Sequence, residues 1–150
     1  MDALLALSRE AALAVGSMLD GVEIVDGPPV VNLTAPDRLH FGWQPDADAA
    51  VALEQEFASA GARRRDERFT ISGYAESRSG DTNMQARRSR VFEIVAALED
   101  LLRATDAAPE APTLNGSVLW SELTAGDLRQ YQAEGVVAGL NFSIACRARL

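Results

Sequence analysis

Lysine is missing from this 150-residue sequence: all 14 basic residues are arginine, set against 22 acidic ones. The resulting net charge of −8 argues against a ligand such as the phosphate backbone, whose affinity comes from accumulated positive charge. Its cations are all planar, permanently charged forks, which suit protein interfaces. Histidine and cysteine are nearly missing too, with one of each. A lone Cys146 excludes an intrachain disulfide, and a lone His40 excludes zinc sites that need several such ligands. No long hydrophobic run occurs. The N-terminal stretch MDALLALSREAALAVGSML is interrupted by Arg9 and Glu10 and lacks the basic start of a leader, so it reads as an amphipathic helix and no membrane partner is expected.

What is present fits one domain over residues 1–150, long enough to bury about two-thirds of its unfolded surface. The first helix places Leu4, Leu7, Ala11, Ala14, Val15 and Met18 on one stripe, with Gly21 as the residue just past its end. Val22 to Asp26 reads as a short strand stopped by Gly27-Pro28-Pro29, and Arg38 to Trp43 as a second. Pro45 to Ala50 is an acidic turn. Arg68 to Ser77 alternates Phe69, Ile71, Gly73 and Ala75 with polar neighbours, the period-two pattern of a half-buried strand. Thr82 to Gln85 reads as a capping box opening a long helix, with Met84, Val91, Ile94, Val95, Leu98, Leu101 and Leu102 as its apolar stripe. Asp106 to Pro112 is a linker. Leu114 to Leu123 is a strand candidate, Thr124 to Arg129 a turn or bulge, and Gln130 to Glu134 prolongs the strand or the loop. Val136 to Leu150 alternates most regularly of all, a long strand with one dry face that must pair along most of its length. The order gives an α+β class: a mostly antiparallel sheet flanked by an N-terminal helix and one long central helix on one face.

Candidate chemistry is sparse. His40 has only Asp37 as a nearby carboxylate and reads as a surface or partly packed side chain. Cys146 lies on the dry face of the last strand, where free cysteine behaves as a small hydrophobe. Asp46 and Asp48 begin like a calcium loop, but the required glycine and distal glutamate are missing. Neither Gly27-Pro28-Pro29 nor Ser79-Gly80-Asp81 has phosphate-loop spacing. No catalytic residue, metal site or cofactor is expected. Arg63-Arg64-Arg65, followed by Asp66-Glu67-Arg68, reads as a solvated hairpin loop or as one side of a charged protein interface. Arg87, Arg88 and Arg90 open the long helix, where cations oppose the macrodipole; a solvated face or carboxylates on a neighbour would accommodate them.

The run from Phe57 to Leu102 combines an extended piece and a glycine, RRRDERFTI leading into a strand, then Gly80-Asp81 and Ala86-Arg87-Arg88 opening a striped helix. With the long strand Gly135 to Leu150 and the N-terminal helix before Val22 to Pro29, it resembles tail terminator (tail completion) proteins of long-tailed bacteriophages and prophages. The family's extended piece is the reason to read Val51 to Ser59 as a strand. The resemblance implies a structural virion protein: a hexameric ring in the tail neck that caps the tail tube, stops its polymerisation and joins head completion or connector proteins. DNA passes through as a passenger. It further implies that Arg63, Arg64 and Arg65 contact a neighbouring subunit or the tube, and that Glu67 and Arg87 belong to the same contact region. The acidic Pro45 to Ala50 insertion departs from the family pattern. Alternatives are another head-to-tail joining protein, a stopper or adaptor, or a small ligand-binding or enzymatic α+β domain.

Overall fold

A computed structural model describes residues 1–30, 33–57 and 65–149. Its elements are helix α1 (Asp2–Leu13), strands β1 (Glu23–Asp26), β2 (Asp37–Phe41), β3 (Val51–Phe57) and β4 (Arg65–Ser79), helix α2 (Met84–Leu102), a short 3-10 turn (Ala111–Thr113), and strands β5 (Trp120–Ala133) and β6 (Gly135–Arg149). The expected α+β class holds. Six strands form one sheet in the order β1-β2-β4-β6-β5, with β3 also on β4, and every pairing except the parallel β1 and β2 is antiparallel.

Strand periodicity divides this sheet into two unlike faces. Leu39 and Phe41 of β2, Ile71 and Ala75 of β4, and Ala138, Leu140, Phe142, Ile144 and Cys146 of β6 form one core with Leu4 and Leu5 of α1 and Val91, Ile94 and Leu98 of α2. Both helices therefore lie on that face. On the opposite face stand Arg38, His40, Tyr74, Glu76 and Asn141, all buried without any helix above them. Two glycines let aromatic rings lie flat on the sheet. A Cβ on Gly73 would run into the Phe142 ring on the core face, and one on Gly139 would run into Tyr74 on the other.

β2 and β3 share one edge of β4. β2 pairs with Gly73 to Ser77 and β3 with Arg65 to Ile71, so the two strands line successive stretches of the same edge of β4, and residues 42–50 leave the sheet between them. Gly42 starts that exit in the left-handed region (φ +73°).

Several boundaries differ from expectation, each for a local reason. α1 stops at Leu13 rather than reaching Gly21: Gly16 turns left-handed, its amide donates to Asp20, and the chain doubles back so that Leu19 enters the core. Val15 and Met18, expected on the buried stripe, are exposed. The cap of α2 is Asn83, whose Oδ1 accepts from the Ala86 amide at 3.0 Å, with Asp81 accepting from the Asn83 amide at 2.9 Å. Two short polar side chains in succession displace the Thr82–Gln85 box. Residues 114–119 are not strand, because Leu114, Asn115 and Gly116 all have positive φ, a turn that Asn-Gly favours. Thr124 to Arg129 stays inside β5, with only a register shift between Leu123 and Ala125. Strand β3 matches the expected strand over Val51–Phe57; Ala58 and Ser59 lie outside the described residues.

Candidate interface regions and the buried polar face

The helix-free face is closed by two connections. Because β1 and β2 are parallel, the chain from Gly27 must return to the far end of the sheet, and on its way the Gly27 carbonyl lies 3.1 Å from His40 Nδ1 and the Leu33 carbonyl accepts from Arg38 Nη2 at 2.5 Å. The second cover is the 42–50 loop. Trp43 packs on His40 and Tyr74, with ring centroids 5.1 and 5.5 Å away. Gln44 donates to the Phe142 carbonyl, Asp46 pairs with Arg129 of β5, and the Ala49 carbonyl accepts from Ser72 Oγ. The acidic insertion is thus a clasp across the sheet.

Beneath these covers lies a dense polar network. Glu76 Oε1 takes Arg78 and, at 3.5 Å, Arg38, while Oε2 accepts from the Tyr74 hydroxyl at 3.4 Å. Burial, with Glu76 and Tyr131 beside the hydroxyl, raises the Tyr74 pKa. Burial likewise holds His40 below the ordinary imidazole value, against a smaller opposing effect of the Gly27 carbonyl and Glu76. His40 is 2% exposed, so the expectation of a surface or partly packed side chain is corrected: strand alternation places it on the polar face, and the two covers bury that face. Cys146 is buried as expected, and desolvation pushes its thiol up to about 11, far from a thiolate nucleophile.

The expected interface residues separate into two ends of β4. Arg63 and Arg64 lie outside the described residues. Arg65 opens β4 opposite Phe57, and Glu67 stands between Gln55 and Ala148. Beside them Asp66 is 4% exposed and held by Arg149 Nε at 2.9 Å and by Arg147, which lower its pKa to about 2. Arg87 sits at the opposite end, donating to Ser77 Oγ at 3.3 Å. Ten strand residues, about 33 Å, separate Ser77 from Glu67, so within one chain the two expected contact residues are far apart. Arg90 finds its carboxylate within the same chain: Nε meets Asp37 Oδ2 at 2.8 Å.

Sequence reasoning missed the margins of the sheet. β5 is an outer strand of 14 residues, and Leu128 and Tyr131 stand exposed on its opposite faces. At the other margin, beside β1, an open groove of about 490 Å³ is lined by Arg9, Ala12, Leu13, Val22, Ile24 and Ala35, with Leu13 84% exposed. The signal for β5 was legible in Leu128, Gln130 and Gln132 alternating with Arg129 and Tyr131, but was masked by the glycine and aspartate at 126 and 127. Among the described residues no group of three or more His, Cys, Asp or Glu is placed to hold a metal ion, and no helix is long and apolar enough to cross a membrane. No protein-family model matches the chain, and no curated protein matches it.

Proposed function

We propose that this chain is an assembly subunit of the tail terminator kind, which closes head-to-tail into a ring, of six copies by the family likeness, that caps a tail tube and meets head completion proteins in the neck of a virion. The observation that carries the reading is two unlike surfaces at opposite margins of the sheet. Among the described residues β5 pairs only with β6 and offers a long outer edge with Leu128 and Tyr131 at one side of the sheet, and the Leu13–Ile24 groove offers an apolar surface at the other. Unpaired edges of this length are a liability in a monomer, and unlike surfaces on opposite sides are what a heterologous, ring-closing contact uses. Glu67 and Arg87, at opposite ends of β4, come together only between subunits on this reading. Six copies would carry about six times −8, and an acidic lumen would repel DNA and let it pass.

The test is mass in solution with negative-stain imaging, alone and with polymerising tube protein. Closed rings or capped tube ends are expected, and both should be lost in the double variant Leu128→Asp, Tyr131→Asp while its circular dichroism is kept. Normal rings and caps from that variant overturn the use of β5. A wild-type chain that neither forms rings nor alters tube length overturns the function.

A further inference from the structure

The turn that leads into β5 holds an asparagine followed by glycine, and Asn115-Gly116 is the one such pair in the sequence. The backbone nitrogen after an asparagine can attack that residue's own carboxamide, and a side chain on the attacking residue would crowd the approach. Both residues are exposed. A Cβ on Gly116 would meet nothing within 4 Å, so a five-membered ring joining the two residues has open space around it. The backbone there is also held in an unfavourable form: Leu114, Asn115 and Gly116 stand at φ +49°, +58° and +80°, a left-handed run that includes a core leucine. The other asparagines lack this setting. Asn32 precedes a leucine, Asn83 is engaged by the Ala86 amide at the start of α2, and Asn141 is buried in β6 between β4 and β5. One bond opposes the reaction. The Gly116 amide donates to Thr113 Oγ1 at 3.0 Å, and that hydroxyl is itself fixed by donating to the Glu110 carbonyl at 2.7 Å. The attacking nitrogen must first lose its proton, so an N–H committed to an acceptor is the weaker nucleophile.

We propose that Asn115 is a site of spontaneous deamidation, timed by the Thr113 hydroxyl. When the Gly116 N–H leaves Thr113, a base removes its proton and the nitrogen attacks Asn115 Cγ. The N–Cγ bond forms as the Cγ–Nδ2 bond breaks, and Nδ2 departs as ammonia with the proton returned to it. One solvent water then opens the cyclic imide at either carbonyl, giving aspartate or, with the side-chain carbon drawn into the backbone, isoaspartate. No oxidant or reductant takes part. Each event adds one negative charge to the −8 of the chain. The isoaspartate form also lengthens the turn by one carbon between the core residue Leu114 and Leu119, whose amide donates to the Arg147 carbonyl at 2.7 Å as β5 begins. The site belongs to the single chain and does not depend on ring formation.

The full chain, incubated folded in mildly alkaline buffer and mapped by peptide mass spectrometry, should gain one mass unit at Asn115 while Asn83 and Asn141 stay intact. Electron-transfer fragmentation should show both aspartate and isoaspartate there. Thr113→Val, which keeps the shape without the oxygen, should deamidate several-fold faster, whereas Thr113→Ser, which keeps the oxygen, should match the parent rate. Circular dichroism checks that each variant is folded, and Thr113→Ala serves if the valine variant is not. In urea the chains should converge on one faster rate, because the Thr113 bond exists only in the folded turn. The site is overturned if neither the folded parent nor the folded valine variant converts Asn115, or if Asn83 and Asn141 convert as fast. The timing by Thr113 is overturned if the valine variant keeps the parent rate, or if its excess persists in urea.

Discussion

At the scale of the residue, the sheet is organised by absences of a side chain as much as by side chains. Gly73 and Gly139 lie beneath Phe142 and Tyr74, one pair on each face, so one glycine serves the dry core and the other the polar face. Either change to alanine forces a ring off the sheet in a packed setting, and we expect each to cost about 1–3 kcal/mol, read from urea denaturation. Asp66 supplies a second prediction. Its carboxyl is held near 2 by Arg149 and Arg147, below an unfolded value of about 3.9. The ionised form is favoured by folding, so its contribution is complete above about pH 4 and is lost as pH falls through the folded value. Asp66→Asn should flatten the pH dependence of stability across that acid window and lower stability at neutral pH, where two arginines lose their acceptor. The glycines were visible in the sequence as apolar-face or polar-face positions of alternating strands, but their ring partners were not, since a cross-strand neighbour depends on register. His40 shows the same boundary. Its strand and face followed from alternation, whereas its burial came from a proline-containing connection and an acidic loop that composition marks as solvent-exposed.

At the scale of the element, local chemistry fixed ends and tertiary packing fixed extents. Asn83 caps α2, and Asn83→Ala should lower stability by about 1 kcal/mol in thermal or urea unfolding, whereas Thr82→Ala, removing the residue that the sequence pattern favours, should be nearly silent. The apolar stripe of α2 was fully legible because 3.6-residue spacing over 19 residues leaves one solution. The end of α1 was not, because Val15 and Met18 continue the hydrophobic stripe past Leu13 into turns where they stand exposed. β5 was cut short in the sequence reading for the opposite reason: Gly126 and Asp127 look like a turn, yet pairing with Phe142 and Asn141 of β6 holds them extended. Central strand β6, dry on one side and alternating throughout, was read almost to the residue.

At the scale of the whole molecule, the proposed ring makes the arginine tract testable where backbone geometry is silent. Charge reversal of Arg63, Arg64 and Arg65 to glutamate should abolish ring formation or tube capping and leave the circular dichroism unchanged; intact assembly by that variant would remove the tract from the contact. Glu67→Arg combined with Arg87→Glu offers a sharper version, because an intersubunit pair should be weakened by either change and regained in the double variant, in a mass measurement. The division of one edge of β4 between β2 and β3 has a different consequence. Both strands take their register from β4 independently, and the clasp between them is anchored at Trp43, Gln44, Asp46 and Ala49. Residues Ala47 and Asp48 therefore form a point where chain length is free to vary: a peptide tag spliced there shifts no strand by even one residue, which makes the acidic clasp a natural place for lineages, or experimenters, to graft new sequence onto the subunit.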